Sequence, residues 1–150
     1  MVERFEVFTI LLNRLNRNIR KIKNKEMANY ELRSSHISCL YYLYISEGLT
    51  SKDLRERCEE DKATISRSLD YLEKNGYLIC KCQNKKRYNS PFELTERGIR
   101  AGKRIADKIS SVLDEISIGI SEEGREIFYR SLSIISENID KVAKSYDSEE

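Results

Sequence analysis

Apolar positions along this chain repeat with two periods, and the change between them marks its organisation. Phe5, Phe8, Leu12, Leu15, Ile19 and Ile22 recur at alternating spacings of three and four, the coiled-coil-like seam of a first helix that wants a partner helix. A second helix is expected through Ile37, Leu40, Tyr41 and Tyr44. Thr50 and Asp53 form a capping box that opens a third, in which Leu54 and Cys58 stand four apart on the apolar side. Asp61 can cap a fourth helix running through Ile65, Leu69 and Leu72 to Gly76. Two short helices are thus joined by a tight turn. After Gly76 the period falls to two. Leu78, Cys80 and Cys82 alternate with Tyr77, Ile79 and Lys81, which predicts a strand over 77–82. Gln83, Asn84, Lys85, Lys86, Arg87, Tyr88, Asn89 and Ser90 make a polar, basic tip, and Pro91 precedes a returning strand through Phe92 and Leu94. Thr95, followed by Glu96 and Gly98, closes the hairpin and opens another helix. Ile105, Ile109, Val112 and Ile116 form a further stripe, then Phe128, Leu132, Ile135, Ile139 and Val142 a last one, with Gly119 and Gly124 flanking the break.

Helix, short turn, second helix and basic hairpin, in that order, is how a winged helix-turn-helix presents itself to DNA. The fourth helix divides cleanly: Ile65, Leu69 and Leu72 share one face, while Lys62, Thr64, Ser66 and Arg67 lie near the N-terminal end away from it. Thr and Ser can bond phosphates or bases, and Arg can pair bidentately with guanine O6 and N7, so this end can both position and read. Any surface helix carries exposed Lys, Arg and Ser, so the face is informative through its neighbours. The candidate contact set is Thr50, Ser51, Lys62, Ala63, Thr64, Ser66 and Arg67, with Lys85, Lys86 and Arg87 at the hairpin tip. A cationic tip beside such a helix can reach a minor groove, where narrow A·T tracts attract arginine.

These residues carry a family resemblance. Leu49, Thr50 and Leu54, then Thr64, Ile65, Ser66 and Arg67 with Leu72, Glu73, Gly76, Tyr77, Leu78 and Ile79, then Leu94, Thr95 and Gly98 resemble a MarR-type transcriptional regulator. The resemblance implies a mainly α fold with a small β-wing, a winged helix-turn-helix lobe at about 32–98, and dimerisation helices at about 1–25 and 99–146 within one domain. It also implies a homodimer that regulates transcription, most readily as a repressor, on a palindromic double-stranded operator with half-sites about one helical turn apart. Members of the family often carry Asp, any residue, Arg at the wing, where the Asp orients the Arg. Here the stretch is Lys85, Lys86, Arg87, Tyr88 with no Asp, and Arg87 is the candidate wing arginine.

Charge sharpens this picture. A net charge of +2 over 150 residues is modest. Between Lys62 and Arg104, however, eleven cations face four acids, whereas from Asp114 to Glu150 ten acids face four cations. The basic surface is concentrated where the motif lies, and the acidic end is kept from phosphate. The length suits one compact domain that leans on a second chain for part of its core. The terminal stripes pack either on one another within a chain or across a homodimer. No membrane span or cleavable leader is read, so a cytoplasmic protein is the expectation.

Chemistry beyond binding finds little support. No Ser, His, Asp set and no Gly-rich phosphate loop is present, so neither an enzyme nor a bound cofactor is expected. His36 is the lone histidine and follows Ser34 and Ser35 at a helix start, too little for a zinc site. Cys39 and Cys58 read as small core residues, and structural disulfides are not expected in a reducing compartment. Cys80 and Cys82 flank Lys81, whose charge favours a thiolate, which makes them the candidate redox pair. Tyr30, His36, Tyr41 and Tyr44 are the candidate pocket for a small aromatic or amphipathic effector, though core packing explains tyrosines equally well. The competing function is a winged-helix module that binds protein, with the basic patch incidental.

Overall fold

The computed structural model describes residues 4–28, 31–82 and 86–147. Its elements are α1 (Arg4–Met27), α2 (Ser34–Ile45), α3 (Ser51–Cys58), α4 (Lys62–Lys74), β1 (Leu78–Cys80), a 3-10 turn (Arg87–Asn89), β2 (Phe92–Leu94), α5 (Glu96–Ile116) and α6 (Glu122–Asp147). The protein is mainly helical, with one small antiparallel sheet in which Leu78 faces Leu94 and Cys80 faces Phe92. It divides into two units, Met1–Lys108 and Ile109–Glu150.

In the first unit the core lies between α2, α3, α4 and the hairpin. Leu40, Leu54, Ile65, Leu69, Leu72, Leu78 and Phe92 are all fully or almost fully buried. These are the residues whose spacing defines the apolar faces of the helices, so hydrophobic burial selects the arrangement. The helix ends follow their local chemistry. Thr50 N–H donates to Asp53 Oδ2 at 2.8 Å while Asp53 N–H donates to Thr50 Oγ1 at 3.3 Å, closing the capping box of α3. Asp61 Oδ1 accepts from Thr64 N–H at 2.8 Å and caps α4. The far end of α4 closes on Gly76, whose φ of +74° is a left-handed conformation that suits glycine. There Tyr77 N–H reaches back to Leu72 O at 2.8 Å and Gly76 N–H to Glu73 O at 3.0 Å, so the chain leaves the helix directly into β1.

The hairpin is locked in three ways. Phe92 N–H donates to Leu49 O at 3.0 Å, tying β2 to the segment before α3. Thr95 Oγ1 donates to Gly76 O at 2.6 Å and accepts from Gly98 N–H at 3.2 Å, capping α5. Gly98 is needed for space, because a Cβ there would strike the Tyr77 carbonyl. The expected strand over 77–82 is shorter than its alternation suggests. It ends at Cys80, where the next partner across the ladder, Pro91, has no N–H to give. Cys80 and Cys82, the candidate redox pair, are joined by a disulfide with their Cα atoms 5.4 Å apart, contrary to the expectation of no structural disulfide.

The remaining helices carry apolar stripes that stay exposed. On α1, Leu12, Leu15, Ile19 and Ile22 are each at least one-third accessible; the side chain of Phe5 lies outside what the structure describes. In the second unit α6 has no buried side chain among the described residues, and Phe128, Leu132, Ile135, Ile139 and Val142 are 37–55% exposed.

Candidate nucleic-acid interface

α4 offers solvent a short polar row because its apolar stripe is fully used. Ile65, Leu69 and Leu72 are buried, and Ser68 beside them is buried with its hydroxyl donating to Thr64 O and sharing a hydrogen bond with the Ser35 hydroxyl, both at 2.8 Å. His36 of α2 stacks flat on Tyr71 of α4, ring centroids 4.3 Å apart and planes 2° from parallel. The apolar side of the helix is therefore fixed against the core. Its other side exposes Lys62, Ala63, Ser66 and Arg67 over the first turns. Thr64 is half-buried and accepts from Arg67 Nη2 at 3.3 Å while donating to Asp61 Oδ2 at 2.9 Å. The hydrogen bond from the Thr64 N–H keeps the Asp61 carboxyl below its ordinary pKa, so the cap stays charged.

The hairpin closes against the same helix. Arg87, still partly exposed, is held by α4: its Nη1 pairs with Glu73 Oε2 at 2.6 Å and its Nη2 with Asp70 Oδ1 at 3.0 Å, and its guanidinium lies 5.4 Å from the Phe92 ring centroid. Lys62 Nζ sits 4.9 Å from the Tyr88 ring centroid, a second link between hairpin and α4. Lys81 pairs with Glu93 at 3.0 Å. Arg97 lies 4.4 Å over the Tyr77 ring and donates to Asn75 O at 2.9 Å. Part of the cationic count thus serves the fold. Lys86 is exposed, and Lys85 lies outside the described residues.

Three expectations change in detail. Ser51 is buried at the first turn of α3, and the Thr50 hydroxyl is engaged with Asp53 at 2.7 Å, so neither side chain is offered to a ligand. Arg87 is a brace between hairpin and helix. The carboxylates that orient it come from Asp70 and Glu73 on α4, which the sequence reading did not single out. A signal existed: these two, three apart on one helix flank, are the only acids between Lys62 and Phe92.

The candidate effector residues are not gathered into one cavity. Tyr30 lies outside the described residues. His36 is buried with Nδ1 accepting from Arg33 N–H at 3.0 Å, and burial, then the neighbouring Arg33 charge, hold its pKa below the ordinary value. Tyr41 packs edge-on against Tyr42 at 5.3 Å. Tyr44 lines an open groove with Leu43, Gly48, Phe92 and Ile99, and packs against Gly102 of α5, where a Cβ would come within 2.6 Å of Tyr44 Cβ. Cys39 is fully buried, as a core residue should be, and Cys58 is half-buried. The Cys39 thiol hydrogen-bonds Cys58, which together with burial pushes its pKa up and keeps it protonated. No cluster of three or more metal-ligating side chains occurs among the described residues, and no described helix is long and apolar enough to cross a membrane.

With that geometry in hand, comparison with known proteins is specific. The sequence model of the MarR family matches residues 30–87. A curated relative from Bacillus cereus, described as an uncharacterized HTH-type transcriptional regulator, is 26% identical over 125 residues, covering 81% of each chain. A MarR-family transcriptional regulator of known structure from Silicibacter pomeroyi superposes with a TM-score of 0.76 at 25% identity, covering 86% of this chain and 87% of that one. The structure of Staphylococcus aureus MepR in complex with DNA gives a TM-score of 0.75 at 17% identity, covering 88% and 96%.

Proposed function

We propose, from a winged-helix lobe that matches the MarR family model over residues 30–87, that the protein is a homodimeric, sequence-specific DNA-binding transcriptional regulator, a cytoplasmic repressor of a palindromic operator. One observation carries the reading: α4 buries its apolar stripe and exposes Lys62, Ala63, Ser66 and Arg67 beside a basic hairpin. In this role α4 enters the major groove, Arg67 reads a base edge, and Lys62 and Lys86 contact phosphate. Asp70 and Glu73 do for Arg87 what a wing Asp does elsewhere in the family, so Arg87 sets the wing's position.

The exposed stripes of α1 and α6 are the dimerisation surfaces in this reading, flanking a lobe at about 32–98. A two-fold protein matches two half-sites about one helical turn apart. The relatives above are regulators and not enzymes, which agrees with the lack of a catalytic set. Release by a small aromatic effector fits the groove beside Tyr44, where a ligand would favour dimers with wrongly spaced α4 helices. DNA release and thermal shift on a panel of aromatic acids test that part.

The deciding experiment is fluorescence anisotropy with duplex from the protein's own upstream region and with random duplex, at two salt concentrations. Affinity that falls steeply with salt and favours the upstream duplex is expected. No binding to either duplex at low salt would instead make this a protein-binding module.

A further inference from the structure

The sulfur pair in the hairpin does more than fill space. Cys80 is the last residue of β1, and its bond to Cys82 draws the two Cα atoms to 5.4 Å. Two residues of a strand advance about 6.6 Å. The disulfide and fully extended backbone from Cys80 through Cys82 are therefore alternatives, and the state of two sulfurs acts on the chain where it leaves β1. Both are within reach of solvent, Cys82 exposed and Cys80 half-buried.

The pair is also connected to α4. Cys80 N–H donates to Glu73 Oε1 at 3.2 Å, Glu73 Oε2 holds Arg87 Nη1 at 2.6 Å, and Arg87 Nη2 holds Asp70 at 3.0 Å. Between the cysteines, Lys81 pairs with Glu93 and donates its N–H to Pro91 O at 2.9 Å. A change at the sulfurs acts on the residues that brace the hairpin against α4.

We propose that Cys80 and Cys82 form a reversible exchange site for low-molecular-weight disulfides, whose state sets the reach of the hairpin and with it the affinity for DNA; the last step rests on the DNA-binding reading. The exposed Cys82 thiolate attacks one sulfur of the small disulfide RSSR, forming a mixed disulfide and expelling RS⁻. The Cys80 thiolate then attacks the Cys82 sulfur, the Cys80 to Cys82 bond forms, and a second RS⁻ leaves. Two electrons pass from the dithiol to RSSR, and the two thiol protons end on the two RSH released. In a compartment kept reducing by small thiols, such a bond is transient and regulatory.

The test equilibrates the full protein in mixtures of reduced and oxidised glutathione, quenches with alkylating agent and maps the cysteines by mass spectrometry. Cys80 and Cys82 should pass together from both alkylated to joined within the glutathione range. A pair that stays joined throughout, or never joins, overturns the exchange site. In parallel, the reduced form should bind the upstream duplex at least about tenfold more tightly than the oxidised form, the worth of roughly one charge-assisted hydrogen bond. A Cys80→Ser, Cys82→Ser double variant should bind like the reduced form in every buffer. Equal affinities, a tighter oxidised form, or redox dependence that survives in the double variant would overturn the coupling. Absence of DNA binding in both forms would sink the regulator reading and the coupling with it, while the thiol map still decides the exchange site.

Discussion

At the scale of single residues, three cations of one basic patch have three different expected roles, and their present partners separate them. Arg67 is exposed on α4, its guanidinium bonded to Thr64 Oγ1. Arg67→Ala is expected to cost about 1–3 kcal/mol on the true operator and to relax base preference at one position; equal losses on specific and random duplex would show that it does not read bases. Lys86 is exposed at the hairpin. Lys86→Ala should weaken all duplexes alike and flatten the dependence of log affinity on log salt by about one. Arg87 is already neutralised by Asp70 and Glu73. Its removal should leave that slope unchanged and lower stability by only about 0.5–1 kcal/mol, because the pairs are partly exposed and screened. Salt titrations of the three variants side by side make the distinction. Sequence alone could rank these cations by position but not by partner, since the acids that hold Arg87 lie 14 and 17 residues away along the chain.

At the scale of elements, the helix boundaries follow from side chains a few residues apart. Thr50→Ala removes the oxygen that accepts from Asp53 N–H and should cost about 1 kcal/mol, read as a lowered unfolding midpoint. The α2 to α4 contact is a different kind of link, because it joins the buried imidazole of His36 to the Tyr71 ring. Burial and Arg33 depress the His36 pKa below the ordinary 6.5, so the unfolded chain binds its proton more readily than the folded one. The associated stability is fully present above 6.5 and shrinks as pH falls below that value toward the depressed one. Thermal unfolding between pH 7.5 and 5 should show this loss, and His36→Asn, which keeps an acceptor for Arg33 N–H, should reduce it. An unchanged slope in the variant would assign the pH dependence elsewhere. The hairpin shows the limit of local pattern: alternation through Cys82 reads as strand, yet the ladder stops where Lys81 meets Pro91, which has no N–H to give.

At the scale of the whole molecule, the exposed apolar stripes ask for a second copy of the chain. Hydrophobic side chains left in water on α1 and α6 favour association, and the acidic C-terminal region keeps that surface apart in charge from the basic motif. Ile135, 39% exposed on α6, lies in the middle of its stripe. Ile135→Glu is expected to shift the sedimenting species from twice 17.6 kDa to 17.6 kDa and to abolish preference for a palindrome while leaving weak, salt-dependent binding to any duplex. A native protein that sediments as a monomer at the concentrations used for DNA binding would remove the dimer from the proposal.

What the sequence determined by itself is what depends on neighbours along the chain: the helix caps at Thr50 and Asp61, the stop at Gly76, the apolar faces that make the core, and the polar row on α4. Periodicity and capping act over a few residues, so they can be read directly. Tertiary structure alone decided which candidates are available. It withdrew Ser51 into the core, turned Arg87 onto Asp70 and Glu73, and laid His36 on Tyr71. Burial and ion pairing depend on residues brought together from distant positions, and a linear pattern carries the residue types for those contacts without the distances that make them.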